Sequence, residues 1–321
     1  MRSFDPPHEL KVFIDTFDVT FERKKDQARL TVNADDKILR NYLGTYFPRS
    51  YGQVRSVYHE IFSNSRVAAK LNLGKKINVF SFGIGTGGDV VGLIYAISEA
   101  IPNVSEINVL GIDANQQALS YADKILRKTQ ELTNLKINCA FSSIEVSKKQ
   151  PVNQITRFIK ERMCFFDFIQ THKACGELHT LGITQTPYYD FASASAHILK
   201  RSGLLLISDV TIPSARSNEW YPMMLNHQLN CFERENPQFK TLFPLACNYY
   251  AKDCHNHCYT STIANNEKFC FRVLARTDFV NSLNLVQYPR RFLVSDSGQT
   301  RYCQCSLNCN DSEVVDARKL S

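Results

Sequence analysis

The sequence predicts an α/β protein built on a doubly wound, mostly parallel sheet. Five strand-like segments alternate with helical segments between residues 76 and 210. The strand-like segments are nearly continuous apolar runs, which is typical of strands that helices cover on both faces. A glycine-rich turn follows the first of these strands directly. In sheets of this class such a turn marks the edge where ligands bind.

The predicted elements follow one another along the chain. Apolar runs bounded by polar or turn residues predict strands at 76–82, 106–112, 135–141, 164–170 and 204–210. Helical periodicity and capping residues predict helices at 89–101, 115–132, 152–163, 188–199 and 217–234. We expect two late strands, 269–275 and 291–295, to join the same sheet, and we assign no element to the polar, cysteine-rich stretch 235–266.

These patterns divide the chain into three regions. Residues 1–72 form an N-terminal helical cap with helices near 34–43 and 51–70, and residues 73–215 form the Rossmann-like core. Residues 216–321 hold a C-terminal helix, the cysteine-rich insertion and the late strands. Five aromatic residues of the cap either pack in the core or cover a ligand pocket: Tyr42, Tyr46, Phe47, Tyr51 and Tyr58.

Composition and charge restrict the class of protein. The 321 residues include 38 Lys and Arg against 31 Asp and Glu, a net charge of +7 that is compatible with an anionic partner such as RNA without establishing one. The longest uncharged apolar run, Val90–Ile97, is far shorter than the about 20 residues of a membrane span, so we expect no membrane association. Eleven cysteines and an N-terminus without an apolar targeting segment predict a reduced, cytoplasmic protein.

The glycine-rich turn carries the main functional signal. Residues 79–89 read VFSFGIGTGGD, in which a strand ends, the backbone turns and a helix begins with free N–H groups. Asp113 ends the next strand, where a carboxylate can accept both hydroxyls of a ribose. The alternative for Asp113 is an N-terminal helix cap beside Asn115. The spacing therefore predicts a nucleotide-type ligand at this edge of the sheet.

Over residues 76–210 the sequence resembles the class I S-adenosylmethionine-dependent methyltransferases. The resemblance rests on the GxGxG spacing, on Gly111-Ile112-Asp113, and on residues 199–206, where a helix ends and a strand begins after a glycine. It implies S-adenosylmethionine as cofactor and methyl transfer to an unidentified acceptor as activity. The candidate cofactor residues that it implies, by position in these motifs, are Ser81, Gly83, Gly85, Gly87, Asp113, Ala114 and Ser142.

Two positions depart from the family pattern. The family usually has an acid two residues before the first glycine, where this chain has Ser81. The acid after the third strand is replaced by Phe141-Ser142-Ser143, whereas Asp89 and Glu145 are nearby but at other positions. These departures keep open a second hypothesis, a methyltransferase-fold binding or assembly module without turnover.

The substrate side of this fold lies at the ends of the fourth and fifth strands. His172 follows the fourth strand and is our candidate general base toward a hydroxyl or an amine, with a hydrogen-bonded structural histidine as the alternative. Asp209 ends the fifth strand and is a second substrate-side candidate, with a surface-loop residue as the alternative.

Cysteines and histidines are concentrated in the C-terminal region. Cys247, Cys254, Cys258 and Cys270 could gather around a metal, but they lack the paired CxxC spacing of a zinc site. The run loosely resembles the mitochondrial small-ribosomal-subunit methyltransferase-like family, in which scattered cysteines hold an iron–sulfur cluster. A metal-dependent, RNA-associated or ribosome-associated factor is therefore a further alternative. Buried free thiols are the simpler interpretation, and we assign no metal ligands.

Overall fold

The computed structural model describes residues 4–22, 34–147, 154, 157, 165–244, 269–285, 288–294 and 301–306. Its centre is a seven-stranded sheet in the order β3-β2-β1-β4-β5-β7-β6. The strands are β1 (Lys76–Phe82), β2 (Glu106–Asp113), β3 (Lys136–Ser143), β4 (Phe166–His172), β5 (Leu199–Val210), β6 (Phe239–Phe243) and β7 (Phe269–Arg276). The first five strands pair in parallel, and β7 is antiparallel to both of its neighbours. The predicted doubly wound, mostly parallel sheet is confirmed.

Four helices precede the sheet, as the sequence predicts for the N-terminal region. They are α1 (His8–Asp15), α2 (Asp36–Thr45), α3 (Phe47–Ser63) and α4 (Ser65–Leu71). The Asp35 side chain accepts the Ile38 N–H and thereby caps α2, and Asn64 caps α4 in the same way. The helix predicted at 51–70 is therefore two helices, because Asn64 ends α3 and caps α4.

Helices cover both faces of the sheet. The described ones are α5 (Gly88–Ala100), α6 (Gln116–Thr133), α7 (Ala174–Thr180), α8 (Pro187–Ala196), α9 (Tyr221–Glu235) and α10 (Thr277–Leu283). Helices α3 and α5 pack on one face, and a Cβ at Gly92 would lie 2.5 Å from the Tyr51 carbonyl oxygen, so glycine permits this close approach. Helices α8 and α9 belong to a second apolar cluster on the other face. No described helix has the length and apolar character needed to cross a bilayer.

Two predictions about the late strands are wrong. The segment predicted at 291–295 is part of β8 (Tyr288–Val294), which pairs with β9 (Arg301–Ser306) in a separate two-stranded sheet. The outer place in the central sheet belongs instead to β6, which lies inside the stretch to which we assigned no element. A local apolar pattern indicates a strand but does not determine which sheet edge it joins.

Two further segments differ in detail. The helix predicted at 188–199 ends at Ala196, because Leu199 already pairs with Phe166 and so begins β5 early. Helix α7 was not predicted, and it follows Lys173, whose φ of 72° is left-handed. Of the helix predicted at 152–163, only residues 154 and 157 are described, and both are helical. Most of the cysteine-rich run falls outside the described residues.

Candidate functional site

A cavity lies at the carboxyl ends of β1, β2 and β4, beneath the N-terminal helices. Its wall combines the glycine turn with residues of α2, α3 and α7. Tyr42, Tyr46 and Phe47 line this cavity, whereas Tyr51 and Tyr58 are fully buried in the core. Tyr42, Tyr46 and Phe47 therefore fit the interpretation as a cover over the cavity. Tyr51 and Tyr58 fit the interpretation as core residues.

All three glycines of the turn adopt left-handed backbone angles, with φ of 67° at Gly83, 52° at Gly85 and 88° at Gly87. A Cβ at Gly85 would meet no atom within 4 Å, because this position faces the open cavity. A Cβ at Gly83 would lie 2.3 Å from the Ala174 Cβ, and one at Gly87 would lie 3.4 Å from the Ala122 Cβ. Gly83 and Gly85 thus form cavity wall, while Gly87 packs behind it.

Asp113 lies at the end of β2, and its carboxylate faces the glycine turn. Its Oδ2 accepts the Gly85 N–H at 2.8 Å, and its Oδ1 accepts the Asn115 N–H at 2.9 Å. Burial is the main cause that raises the pKa of Asp113. The cap of α6 is Asn115, whose side chain accepts N–H groups of the first helical turn. Asp113 therefore fixes the glycine turn and lines the cavity, whereas Asn115 caps α6.

Ser81 lies behind the cavity wall, and a carboxylate from another element reaches it. The Ser81 Oγ donates to Oδ2 of Asp89 at 2.8 Å, and the Gln170 Nε2 donates to the same oxygen at 2.8 Å. Asp89 lines the cavity and is only 3 % exposed, and burial raises its pKa to about 6. Sequence reasoning noted Asp89 but did not place it. The available signal is its position in the first turn of a buried helix, directly after the glycines.

The candidate cofactor residues Ala114 and Ser142 differ in their relation to the cavity. Ala114 lines the cavity, whereas Ser142 pairs with Ile112 inside the sheet and does not line it. The chain continues beyond β3 because the Ile144 N–H donates to the Asp113 carbonyl oxygen at 2.8 Å. Residues 144–146 therefore form this part of the wall, and sequence reasoning missed their apolar members.

His172 is the last residue of β4 and belongs to the cavity lining. Its Nδ1 lies 2.6 Å from the Ser208 Oγ, which in turn donates to the Thr171 carbonyl oxygen at 3.3 Å. This network assigns the proton to Nδ1 and leaves Nε2 as an acceptor, for which the described residues supply no partner. Burial, and then Lys173, hold the pKa of His172 well below its usual range, so the imidazole is neutral at pH 7.

Asp209 is neither a surface-loop residue nor part of the cavity wall. It is 1 % exposed, and its Oδ2 accepts the Gly176 N–H and the Tyr188 hydroxyl, each at 2.8 Å. The Val210 N–H donates to its Oδ1 at 2.8 Å. Asp209 therefore anchors α7 and α8 to the end of β5.

Of the four cysteines considered as metal ligands, only Cys270 falls within the described residues. It is fully buried in β7, opposite Asp209, and its thiol donates weakly to the Asp209 carbonyl oxygen at 3.5 Å. Within the described residues no cluster of His, Cys, Asp and Glu has the geometry of a metal site. Cys247, Cys254 and Cys258 lie outside those residues, so the four-cysteine hypothesis remains a prediction.

Comparison with protein families gives one match. Residues 44–175 match the model of the CheR methyltransferase, SAM binding domain. The matched segment runs from α2 into α7, covers less than half of the chain, and contains the glycine turn, Asp113 and His172. No curated protein matches the sequence.

Solved structures of methyltransferases are similar to this chain at low identity. The plantazolicin methyltransferase BpumL in complex with SAH is 13% identical with a TM-score of 0.45, covering 83% of this chain and 98% of its own. An O-methyltransferase from Bacillus cereus in complex with SAH is 10% identical with a TM-score of 0.41, covering 74% and 97%. Precorrin-6y C5,15-methyltransferase from Geobacter metallireducens is 14% identical with a TM-score of 0.36, covering 69% and 86%.

Proposed function

We propose that the chain is a class I S-adenosylmethionine-dependent methyltransferase and that it transfers the methyl group of that cofactor to an acceptor. The sheet order, the glycine turn and the match to the CheR SAM-binding domain support this proposal. S-adenosylmethionine is the cofactor of this superfamily.

The observation that carries the proposal is the open space at Gly85. A Cβ there would meet nothing within 4 Å, although the residue lies at the carboxyl end of a buried parallel sheet. Such a position lets a ligand approach the backbone closely, and the Asp113 carboxylate lies on the same wall. The residues present therefore fit an adenosyl cofactor.

Each part of the cavity wall has a role in holding the cofactor. Gly83 and Gly85 offer close backbone approach, and Asp113 offers carboxylate oxygens to the ribose hydroxyls. Apolar side chains beside β2 and β3 suit a flat adenine ring: Ile112, Ile144 and Val146. The rings of Tyr42 and Tyr46 lie with their centroids 4.8 Å apart and tilted by 31°, and they would exclude water from the cap side.

When bound, S-adenosylmethionine supplies an electrophilic methyl group on a sulfonium. What the protein must add is mainly alignment of the acceptor, because a correctly oriented pair needs little further activation. His172 adds a neutral Nε2 that can accept a hydrogen bond from an acceptor N–H or O–H. Its low pKa makes it an orienting acceptor in the ground state and a weak base.

The direct test is calorimetric titration of the complete chain with S-adenosylmethionine and with S-adenosylhomocysteine. We expect both to bind at a single site, and NADH, the ligand of other doubly wound sheets, to give no heat. Absence of binding by either adenosyl ligand would overturn the proposal.

Turnover is tested with S-adenosylmethionine that carries a tritiated methyl group, incubated with small-molecule, RNA and protein fractions of a cell extract. We expect tritium in one fraction together with S-adenosylhomocysteine as product. Cofactor binding without transfer to any fraction would instead support the alternative of a binding or assembly module.

A further inference from the structure

The cavity wall carries more acidic than basic side chains, although the whole chain has a net charge of +7. Among the described residues that line the cavity, four are acidic: Asp89, Asp113, Glu145 and Glu177. The basic ones are Lys173 and His172, and the low pKa of His172 keeps it neutral at pH 7. S-adenosylmethionine adds one net positive charge when it is bound. A cavity of this composition favours a cationic second ligand over an anionic one.

One of these carboxylates lies apart from the part of the wall that we assign to the cofactor. Glu177 is in the first turn of α7, which lines the cavity together with α2. Burial, and then the charge of Glu177, hold the pKa of Tyr42 well above its usual range, so this charge acts where α2 covers the cavity. Apolar side chains of α7 and of the residues after it also line the cavity: Leu178, Leu181 and Ile183.

His172 independently indicates a missing hydrogen-bond donor. It lines the cavity, is only 7 % exposed, and its Nδ1 bonds to Ser208. Its Nε2 is buried and has no partner among the described residues. A ligand that brings an N–H group would satisfy this acceptor, whereas a carboxylate ionised at pH 7 brings no hydrogen. A hydroxyl would satisfy Nε2 as well, but only an ammonium group also gains from the charge of Glu177.

We propose that the methyl acceptor is a primary or secondary amine, which binds as an ammonium ion beside Glu177 and is methylated on nitrogen. This inference rests on the proposed function. The Tyr42 ring and the apolar side chains of α7 suit the hydrocarbon part of the amine. Glu177 binds the charge, and His172 orients the nitrogen.

The transfer balances without a further reactant. The bound ammonium ion loses one proton to water, and the neutral amine then donates an N–H to the His172 Nε2. The nitrogen lone pair forms the bond to the methyl carbon, and the electron pair of the broken carbon–sulfur bond stays on sulfur. The products are an N-methyl ammonium ion and S-adenosylhomocysteine. His172 remains a hydrogen-bond acceptor throughout, since its low pKa makes it a weak base.

Other roles of Glu177 make different predictions. If Glu177 held the amino-acid part of the cofactor, its replacement would weaken S-adenosylhomocysteine binding. If it only stabilised α7 through the helix dipole, its replacement would lower protein stability and leave the affinity for the acceptor unchanged. The acceptor concentration that gives the half-maximal rate therefore separates these roles from the proposed one.

The first experiment identifies the atom that receives the methyl group. The complete chain is incubated with tritiated S-adenosylmethionine and the small-molecule, RNA and protein fractions of a cell extract. Each fraction is used untreated, after acetylation of its amines with an acetate N-hydroxysuccinimide ester, or after amidation of its carboxylates with a carbodiimide and ethanolamine. We expect acetylation to abolish tritium incorporation and amidation to leave it intact. The product should release no tritiated methanol in alkali, as a methyl ester would. The fraction that is labelled shows whether the amine belongs to a small molecule or to a macromolecule.

The second experiment compares two glutamate variants with that fraction as the acceptor. We expect Glu177→Gln to raise the acceptor concentration at the half-maximal rate about tenfold, because a charge-assisted contact is lost. Its kcat should stay within threefold of wild type and its S-adenosylhomocysteine affinity within twofold. Glu131→Gln is the matched control, since it removes an exposed negative charge of α6 outside the cavity, and it should change none of these quantities.

Incorporation that survives acetylation, or tritiated methanol released by alkali, would overturn the assignment of an amine. A Glu177→Gln protein with weakened S-adenosylhomocysteine binding, or with unchanged half-saturation by the acceptor, would overturn the role of Glu177. If no untreated fraction accepts tritium from the wild-type chain, methyl transfer itself fails, and this outcome is distinct from the others.

Discussion

Asp89 and Asp209 are two buried carboxylates at the carboxyl edge of the sheet, with opposite surroundings. They are 3 % and 1 % exposed, and burial raises the pKa of each to about 6. Burial, and then the charge of Asp89, raise the pKa of Tyr58 in the core beside α3 and α5, whereas Asp209 accepts the Tyr188 hydroxyl in the core beside α8. The same desolvation therefore acts on both faces of the sheet.

The two residues differ in what offsets that desolvation. Asp209 is held by backbone N–H groups and by a tyrosine hydroxyl, and a Cβ at Gly176 would lie 2.7 Å from its Oδ2. Asp89 is held at Oδ2 by two neutral side chains and also by backbone N–H groups of its own helical turn, and it lies on the cavity wall. A buried carboxylate fixed by the backbone of neighbouring elements serves the fold, and one that also faces a cavity is available to a ligand.

The prediction with the largest expected effect tests whether the cavity beside Asp89 binds the ligand. We predict that Gly85→Val weakens S-adenosylhomocysteine binding at least about 100-fold, because a side chain there enters the cavity and is strained at φ of 52°. Gly87→Ala is the matched control: its φ is 88°, but its Cβ faces Ala122 outside the cavity, so affinity should stay within threefold. Calorimetry on both folded variants decides, and a Gly85→Val protein that binds normally would remove the basis of the comparison.

The second prediction concerns the residue that serves the fold. Asp209→Asn places an amide donor against an N–H or hydroxyl donor, which should lower the free energy of unfolding by about 2 kcal/mol. S-adenosylhomocysteine affinity of the folded variant should stay within threefold. Urea denaturation and calorimetry measure the two quantities, and a weaker affinity at unchanged stability would show that Asp209 contacts the ligand.

Asp113 sharpens the comparison because it combines both roles. Its oxygens accept the Gly85 and Asn115 N–H groups and also face the cavity. We predict that Asp113→Asn weakens S-adenosylhomocysteine about tenfold through loss of a charge-assisted bond to the ribose. The binding of 5′-methylthioadenosine, which keeps the ribose but has no amino-acid part, should weaken equally. A variant whose only change is a lower melting temperature would assign Asp113 to the fold alone.

The smallest effect is a pH dependence that both buried carboxylates share. A carboxyl group whose pKa is about 6 in the folded chain binds more protons than in the unfolded chain, so its contribution to stability is present at low pH and is lost as pH rises through 6. The neighbouring Tyr58, Tyr188 and Cys270 have pKa values raised by burial and stay neutral throughout.

Between pH 5 and 7 each carboxyl group should therefore remove about 1 kcal/mol from the free energy of unfolding of the unliganded protein. Asp89→Asn and Asp209→Asn should each lose about that much less than wild type over this range, as measured by urea denaturation at the two pH values. Variants whose stability follows the wild-type pH profile would show that these groups do not titrate there.

Much of the fold was predictable because its signals are local. Each of the apolar runs of β1 to β5, and the glycine turn after β1, is a continuous stretch of the sequence. An uninterrupted apolar run also indicates that helices cover both faces of the strand. The same signals could not assign β6 and β8 to their sheets, because an edge strand is chosen by what is left unpaired after folding. Helix α7 escaped prediction since Asp209, 33 residues away, fixes its Gly176 N–H.

The same distinction between local signals and contacts of distant segments applies to the candidate site. The sequence by itself determined the α/β sheet, the glycine turn and the place of Asp113, because strand, turn and helix follow each other without interruption. Only the tertiary structure decided which acid stands beside Ser81. Parallel pairing sets Ser81 of β1 opposite Gln170 of β4, and the first turn of α5 brings Asp89 to both of them. The contact joins Ser81, Asp89 and Gln170, of which the first and the last are 170 − 81 = 89 residues apart. It depends on strand order, and strand order is set by the packing of the whole sheet.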